Sequence, residues 1–133
     1  MRRSFPLVLS VDDDPTIQNL IKRYIAASIC DVICAGSCAD GLAAVEEHKP
    51  DLILMDVMMP VMDGFEFCAM LQQNKESANI PVIFLSALGE AQDKARALSV
   101  GAVDYLTKPF SKSQLVDKIT LHLKNKPQWK NIL

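Results

Sequence analysis

Apolar residues follow two alternating spacings along this chain. Nearly unbroken runs fall at Leu7 to Val11, Val32 to Ala35, Leu52 to Met55, Val82 to Leu85 and Val103 to Leu106, each of a length that suits a strand. Between and after them the apolar positions step by three and four, most clearly at Ile17, Leu20, Ile21, Tyr24 and Ile25 and at Leu115, Ile119 and Leu123. Weaker helical rows occur at Cys38, Leu42 and Val45, at Phe67, Met70 and Leu71, and at Ala91, Ala95 and Leu98. Start signals agree: Asp14-Pro15 pairs a capping side chain with proline at the first helical position, and Ser111 to Gln114 has capping-box spacing. Ser37 to Asp40 is a poorer box.

Five repeats of strand then helix predict a parallel sheet with right-handed crossovers and helices on both faces. LILM and VIFL lack polar alternation, as expected of central strands covered on both sides. A doubly wound α/β domain follows, and in such sheets ligands gather beyond the carboxyl ends of the strands. The 133 residues suffice for one such domain. It is expected over residues 1–124, with 125–133 a tail or linker. The closing KNKPQWKNIL is compatible with a free tail, a linker, or a segment docked on a neighbour.

Charge narrows the partners. Fourteen basic and sixteen acidic side chains give a formal net charge of -2, and no basic run marks a nucleic-acid footprint or a membrane patch, so neither is expected as a direct ligand. Arg2-Arg3 precedes an apolar stretch too short for an export signal, and no run approaches the roughly 20 residues of a membrane span. The expected location is cytoplasmic. The four cysteines are then reduced thiols, read as small buried hydrophobes. His48 and His122 lack ligand-spaced partners and are read as surface residues.

The strand ends carry the chemistry. Asp12-Asp13-Asp14 follows the first run, Asp56 the third, Ser86-Ala87 the fourth and Thr107-Lys108-Pro109 the fifth, whereas Ala35-Gly36 after the second offers nothing obvious. Two unit charges about 4 Å apart repel by roughly 4 kcal/mol at an effective dielectric of 20. A fold only several kcal/mol stable keeps such a cluster when a cation is bound there. Carboxylate oxygens without thiolate or imidazole favour Mg²⁺. Lys108 adds a second positive charge and Ser86 a hydrogen bond, which together form a clamp for a transferring phosphoryl group. Asp56, at the tip of a rigid element, is the candidate nucleophile.

VDDDP, LILMDVMMPVMDG, FLSA and DYLTKPF, in that order, resemble the receiver domain of bacterial two-component response regulators, from about Leu7 to Leu123. The resemblance implies a flavodoxin-like five-stranded parallel sheet of strand order 2-1-3-4-5. It implies Asp56 as phosphoacceptor, charged by a sensor histidine kinase or phosphotransfer protein. Mg²⁺ would be held directly by Asp13 and Asp56, through water by Asp12, and by the backbone carbonyl of Met58. Ser86 would bond the phosphoryl group and Lys108 would pair with one of its oxygens. Lys108-Pro109 would be cis, and Tyr105 would be the switch aromatic. The surface of the fourth helix, fifth strand and fifth helix would then change for an output domain or partner protein, and a homodimer is left open. Met58 and Leu88 would line water's approach to the acyl phosphate; both are apolar, so self-dephosphorylation is expected to be slow and the chain is not expected to be a turnover enzyme.

Other readings share parts of this pattern. A phosphatase of haloacid-dehalogenase type needs a second Asp two residues after its nucleophile, where this chain has Met58. A flavodoxin-like cofactor carrier needs hydroxyls and glycine amides in its first loop, where this chain has three acids. A degenerate receiver serving only for dimerisation would not need the full set Asp12, Asp13, Asp56, Ser86 and Lys108.

Overall fold

A computed structural model describes residues 3–26, 28, 30–87 and 91–133, without the side chains of 91 and 92. Five strands, β1 (Leu7–Val11), β2 (Asp31–Ala35), β3 (Leu52–Asp56), β4 (Val82–Ser86) and β5 (Asp104–Thr107), form one parallel sheet in the order β2-β1-β3-β4-β5. Helices α1 (Pro15–Ala26), α2 (Cys38–His48), α3 (Gly64–Gln72), α4 (Ala91–Ser99) and α5 (Lys112–Leu123) connect or follow them. The order reverses beside β1, so β1 and β3 meet at the switch point, where their carboxyl ends diverge from their crossovers and leave a crevice.

Side-chain alternation divides the core. Leu9, Val11, Ile53, Met55, Val82 and Phe84 face α2, α3 and α4, whereas Val8, Leu52, Leu54, Ile83 and Leu85 face α1 and α5. Every residue of β1, β3 and β4 is buried, which is why their sequences show no polar alternation. Leu115, Ile119 and Leu123 form the buried row of α5. Ser111 and Gln114 cap that helix reciprocally. Asp14 accepts from the Thr16 N–H at 2.9 Å.

Three expectations fail. Cys34 is exposed and Cys30 only half-buried, because β2 is an edge strand with one face short of cover. In α4 the buried residue is Ala97, while Ala95 and Leu98 face out; that helix also rests its Arg96 guanidinium 4.0 Å from the centroid of the Phe65 ring. His122 is not a surface residue: its Nε2 lies 2.9 Å from Asp104 Oδ2, beside Lys118 Nζ at 2.9 Å from Oδ1. Beyond α5 the chain makes a 3₁₀ turn over Pro127–Trp129, and Trp129 packs into the core on the α1 and α5 side. No helix among the described residues is long and apolar enough to cross a membrane.

Candidate functional site

Asp12 follows β1 and is fixed by its backbone. Its N–H donates to the Ala35 carbonyl at 3.1 Å, so β2 contributes through its main chain where its side chains offer nothing. The Asp12 carboxylate accepts from the Asp14 N–H at 2.9 Å. From α1, the buried Gln18 amide donates to the carbonyls of Ser10, Asp12 and Ala35 at 3.1, 3.0 and 3.2 Å. One side chain thus fastens the ends of β1 and β2 together. The sequence reading missed Gln18, although its spacing from Ile21 and Ile25 places it in the buried row of α1.

Asp56 is the last residue of β3. One carboxylate oxygen each from Asp12, Asp13 and Asp56 lie within 4.8 Å of one another, with Asp12 and Asp56 buried and Asp13 exposed. Lys108 Nζ stands 3.0 Å from Asp12 Oδ2 and 3.4 Å from Asp56 Oδ1. Burial and the neighbouring charge of Asp12 push the Asp56 carboxyl above its ordinary value, against the pull of Lys108 and of the Met58 backbone N–H. Burial alone would pull the Lys108 ammonium down, but its contacts with Asp12 and Asp56 prevail and raise it. Of the three clustered carboxylates two contact the Lys108 ammonium, and the donor set is all oxygen, which fits a hard divalent cation such as Mg²⁺.

The segment after Asp56 turns sharply back. Gly64 donates its N–H to the Val57 carbonyl at 2.9 Å, an approach that a side chain would block. Asp63 and Glu66 form a reciprocal capping box at the start of α3, a signal legible in the Asp-x-x-Glu spacing that the sequence reading passed over. Met58 is 65% exposed, while Leu88 lies outside the described residues. Ser86 ends β4 fully buried, and its carbonyl accepts from the Lys108 N–H at 2.7 Å. The Lys108-Pro109 bond is cis. Tyr105 is buried opposite Phe84 in the register of β4 and β5.

A family model for the response regulator receiver domain matches residues 8–120. The chain belongs to this family. Receiver domains of this kind serve phosphorylation-dependent, two-component signal transduction. This receiver domain is 40% identical over 114 residues to the DNA-binding dual master transcriptional regulator RpaA of Synechocystis, an alignment covering 86% of this chain and 47% of that protein. It is 39% identical to Protein PilG of Pseudomonas aeruginosa, over 87% of this chain and 86% of PilG. The solved receiver domain of a Francisella response regulator superposes with a TM-score of 0.84 at 35% identity, covering 90% of this chain and 98% of that one. The chain spans about half the length of RpaA. The expectation that nucleic acid is not a direct ligand finds no support in such relatives, since RpaA is named as DNA-binding.

Proposed function

We propose that this receiver accepts a phosphoryl group on Asp56 from a phosphohistidine of a sensor kinase or phosphotransfer protein. The observation that carries the reading is Lys108 Nζ lying between Asp12 and Asp56 at the mouth of the switch point. A carboxylate oxygen of Asp56 attacks phosphorus, the phosphorus–nitrogen bond breaks, and the electron pair leaves with the imidazole. Asp12, Asp13, Asp56 and the Met58 carbonyl would hold Mg²⁺, with Asp12 acting through water. When bound, the ion supplies positive charge against the acids and the phosphoryl oxygens. Lys108 pairs with a phosphoryl oxygen, and its place between two acids keeps it protonated for that role. Ser86 donates its hydroxyl to the arriving group.

Movement of Ser86 toward the phosphoryl group lets Tyr105 repack, and the surface of α4, β5 and α5 changes for an output domain or partner protein. That is a shift between two packings biased by a covalent group. Met58, exposed beside the site, has no acid or base with which to orient water, so self-dephosphorylation is slow; a phosphate-release half-life of seconds would contradict this. Intact-mass measurement after treatment with acetyl phosphate and Mg²⁺ tests the main reading. One added phosphate on the wild type and none on Asp56→Asn is the expected result, and equal incorporation in both overturns it.

A further inference from the structure

Three backbone carbonyls converge on one buried side chain next to the acidic cluster. Gln18 Nε2 donates to the carbonyl oxygens of Ser10 in β1, Asp12 just after it and Ala35 at the end of β2, at 3.1, 3.0 and 3.2 Å. Gln18 is 8% exposed, so water has little access to replace those bonds. Of the two ends of an amide only the NH₂ can meet three acceptors, which fixes its orientation. Its Oε1 is buried and has no partner among the described residues, so the side chain acts here by donation alone.

These bonds bear on two of the three acids. The Asp12 carbonyl belongs to the planar peptide that joins Asp12 to Asp13, and Gln18 holds that plane. The Asp12 N–H donates to the Ala35 carbonyl at 3.1 Å, the same oxygen that Gln18 also binds, so the preceding peptide is tied to β2. With both of its peptide planes held, Asp12 keeps its backbone dihedrals, and its carboxylate stays between the Asp14 N–H at 2.9 Å and Lys108 Nζ at 3.0 Å. The same plane places the backbone of Asp13, whose own side chain is exposed. Without the amide a buried carbonyl loses a donor, and the two peptides are free to turn the acids apart, the direction in which their mutual repulsion drives them.

We propose that Gln18 is a positioning residue for the acidic pocket, holding the Asp12–Asp13 peptide so that both carboxylates gather with Asp56 around Mg²⁺. This role rests on the reading of that pocket as a Mg²⁺ site. Side chains that orient metal ligands without touching the ion govern roughly 10–100-fold in affinity.

Gln18→Met nearly keeps the length of the side chain and removes its donors. Calorimetric titration with Mg²⁺ is expected to give a Kd about tenfold above that of the wild type. The Mg²⁺ concentration for half-maximal phosphoryl uptake from acetyl phosphate rises with it, while the rate at saturating Mg²⁺ changes far less. Hydrogen exchange at the Asp12 N–H quickens. Ile25→Val, further along the same buried row of α1, controls for lost stability alone: it lowers Tm and leaves Kd at the wild-type value. Gln18→Asn, which keeps the donors on a side chain one methylene shorter, serves if Gln18→Met does not fold, with a smaller rise in Kd. An absence of Mg²⁺ binding in the wild type would contradict the magnesium reading itself. A wild-type Kd in whichever Gln18 variant folds, or an equal rise in Ile25→Val, overturns the positioning role alone.

Discussion

A Cβ on Gly64 would stand 2.8 Å from the backbone carbonyl oxygen of Asp56 and 3.0 Å from the Cα of Val57. The loop carrying Met58 can therefore close against β3 only with glycine at its far end, and both neighbours are main-chain atoms with little room to move. Gly64→Ala should cost roughly 1–3 kcal/mol by overpacking. It should also slow phosphoryl uptake, because the strain falls on the residue bearing the acceptor. Denaturant unfolding with uptake from acetyl phosphate checks both, and unchanged values would show that the loop adapts freely.

Three clustered acids, two of them in contact with Lys108, leave the metal-free pocket with surplus negative charge. Asp56→Asn keeps the shape and removes one charge. The metal-free variant should be more stable than wild type by on the order of 1 kcal/mol, a few degrees of Tm for a chain this long. Mg²⁺ should stabilise the wild type and have a much smaller effect on the variant. Paired thermal melts with and without the ion read out both effects.

The Asp104 cluster predicts an acid-side loss of stability. Burial would raise the Asp104 carboxyl, but hydrogen bonds from His122 and Lys118 prevail and hold it below its ordinary value of 3.8. A carboxyl depressed in the folded state stabilises above its unfolded pKa, and that contribution disappears as pH falls through the folded value. Asp104→Asn should therefore be less stable than wild type near neutral pH, by on the order of 1 kcal/mol. The gap should close below pH 3.8. Urea melts across this range would contradict the assignment if the gap were independent of pH.

Trp129 packs beside Leu115, Ile119 and Leu123 in the core, although it follows the last long helix. Trp129→Ala should cost about 3–5 kcal/mol, the usual range for an aromatic side chain removed from a core. A loss below about 1 kcal/mol in equilibrium unfolding would mean that the segment docks only weakly.

The sheet was legible because its central strands are covered on both faces, so LILM and VIFL read as unbroken apolar runs. The acids at the strand ends were legible because a doubly wound sheet gathers those ends on one edge. What escaped depends on the third dimension. Cys34 looks like any core cysteine until β2 proves to be an edge, and His122 acquires Asp104 only when α5 packs on β5. In α4 the apolar residues are too few to fix a face, and the buried Ala97 is one of several alanines. Gln18 lay in a buried row, but its three carbonyl acceptors lie in β1, just after it and in β2, and no spacing rule announces them.

The most direct test identifies the modified residue itself. An acyl phosphate is reduced by borohydride to the alcohol, so an aspartate that carried phosphate is read in peptide sequencing as homoserine. After phosphorylation in the presence of Mg²⁺, homoserine is expected at position 56 alone. Homoserine at position 12 or 13 with Asp56 intact, or none at any position despite incorporated phosphate, would contradict it.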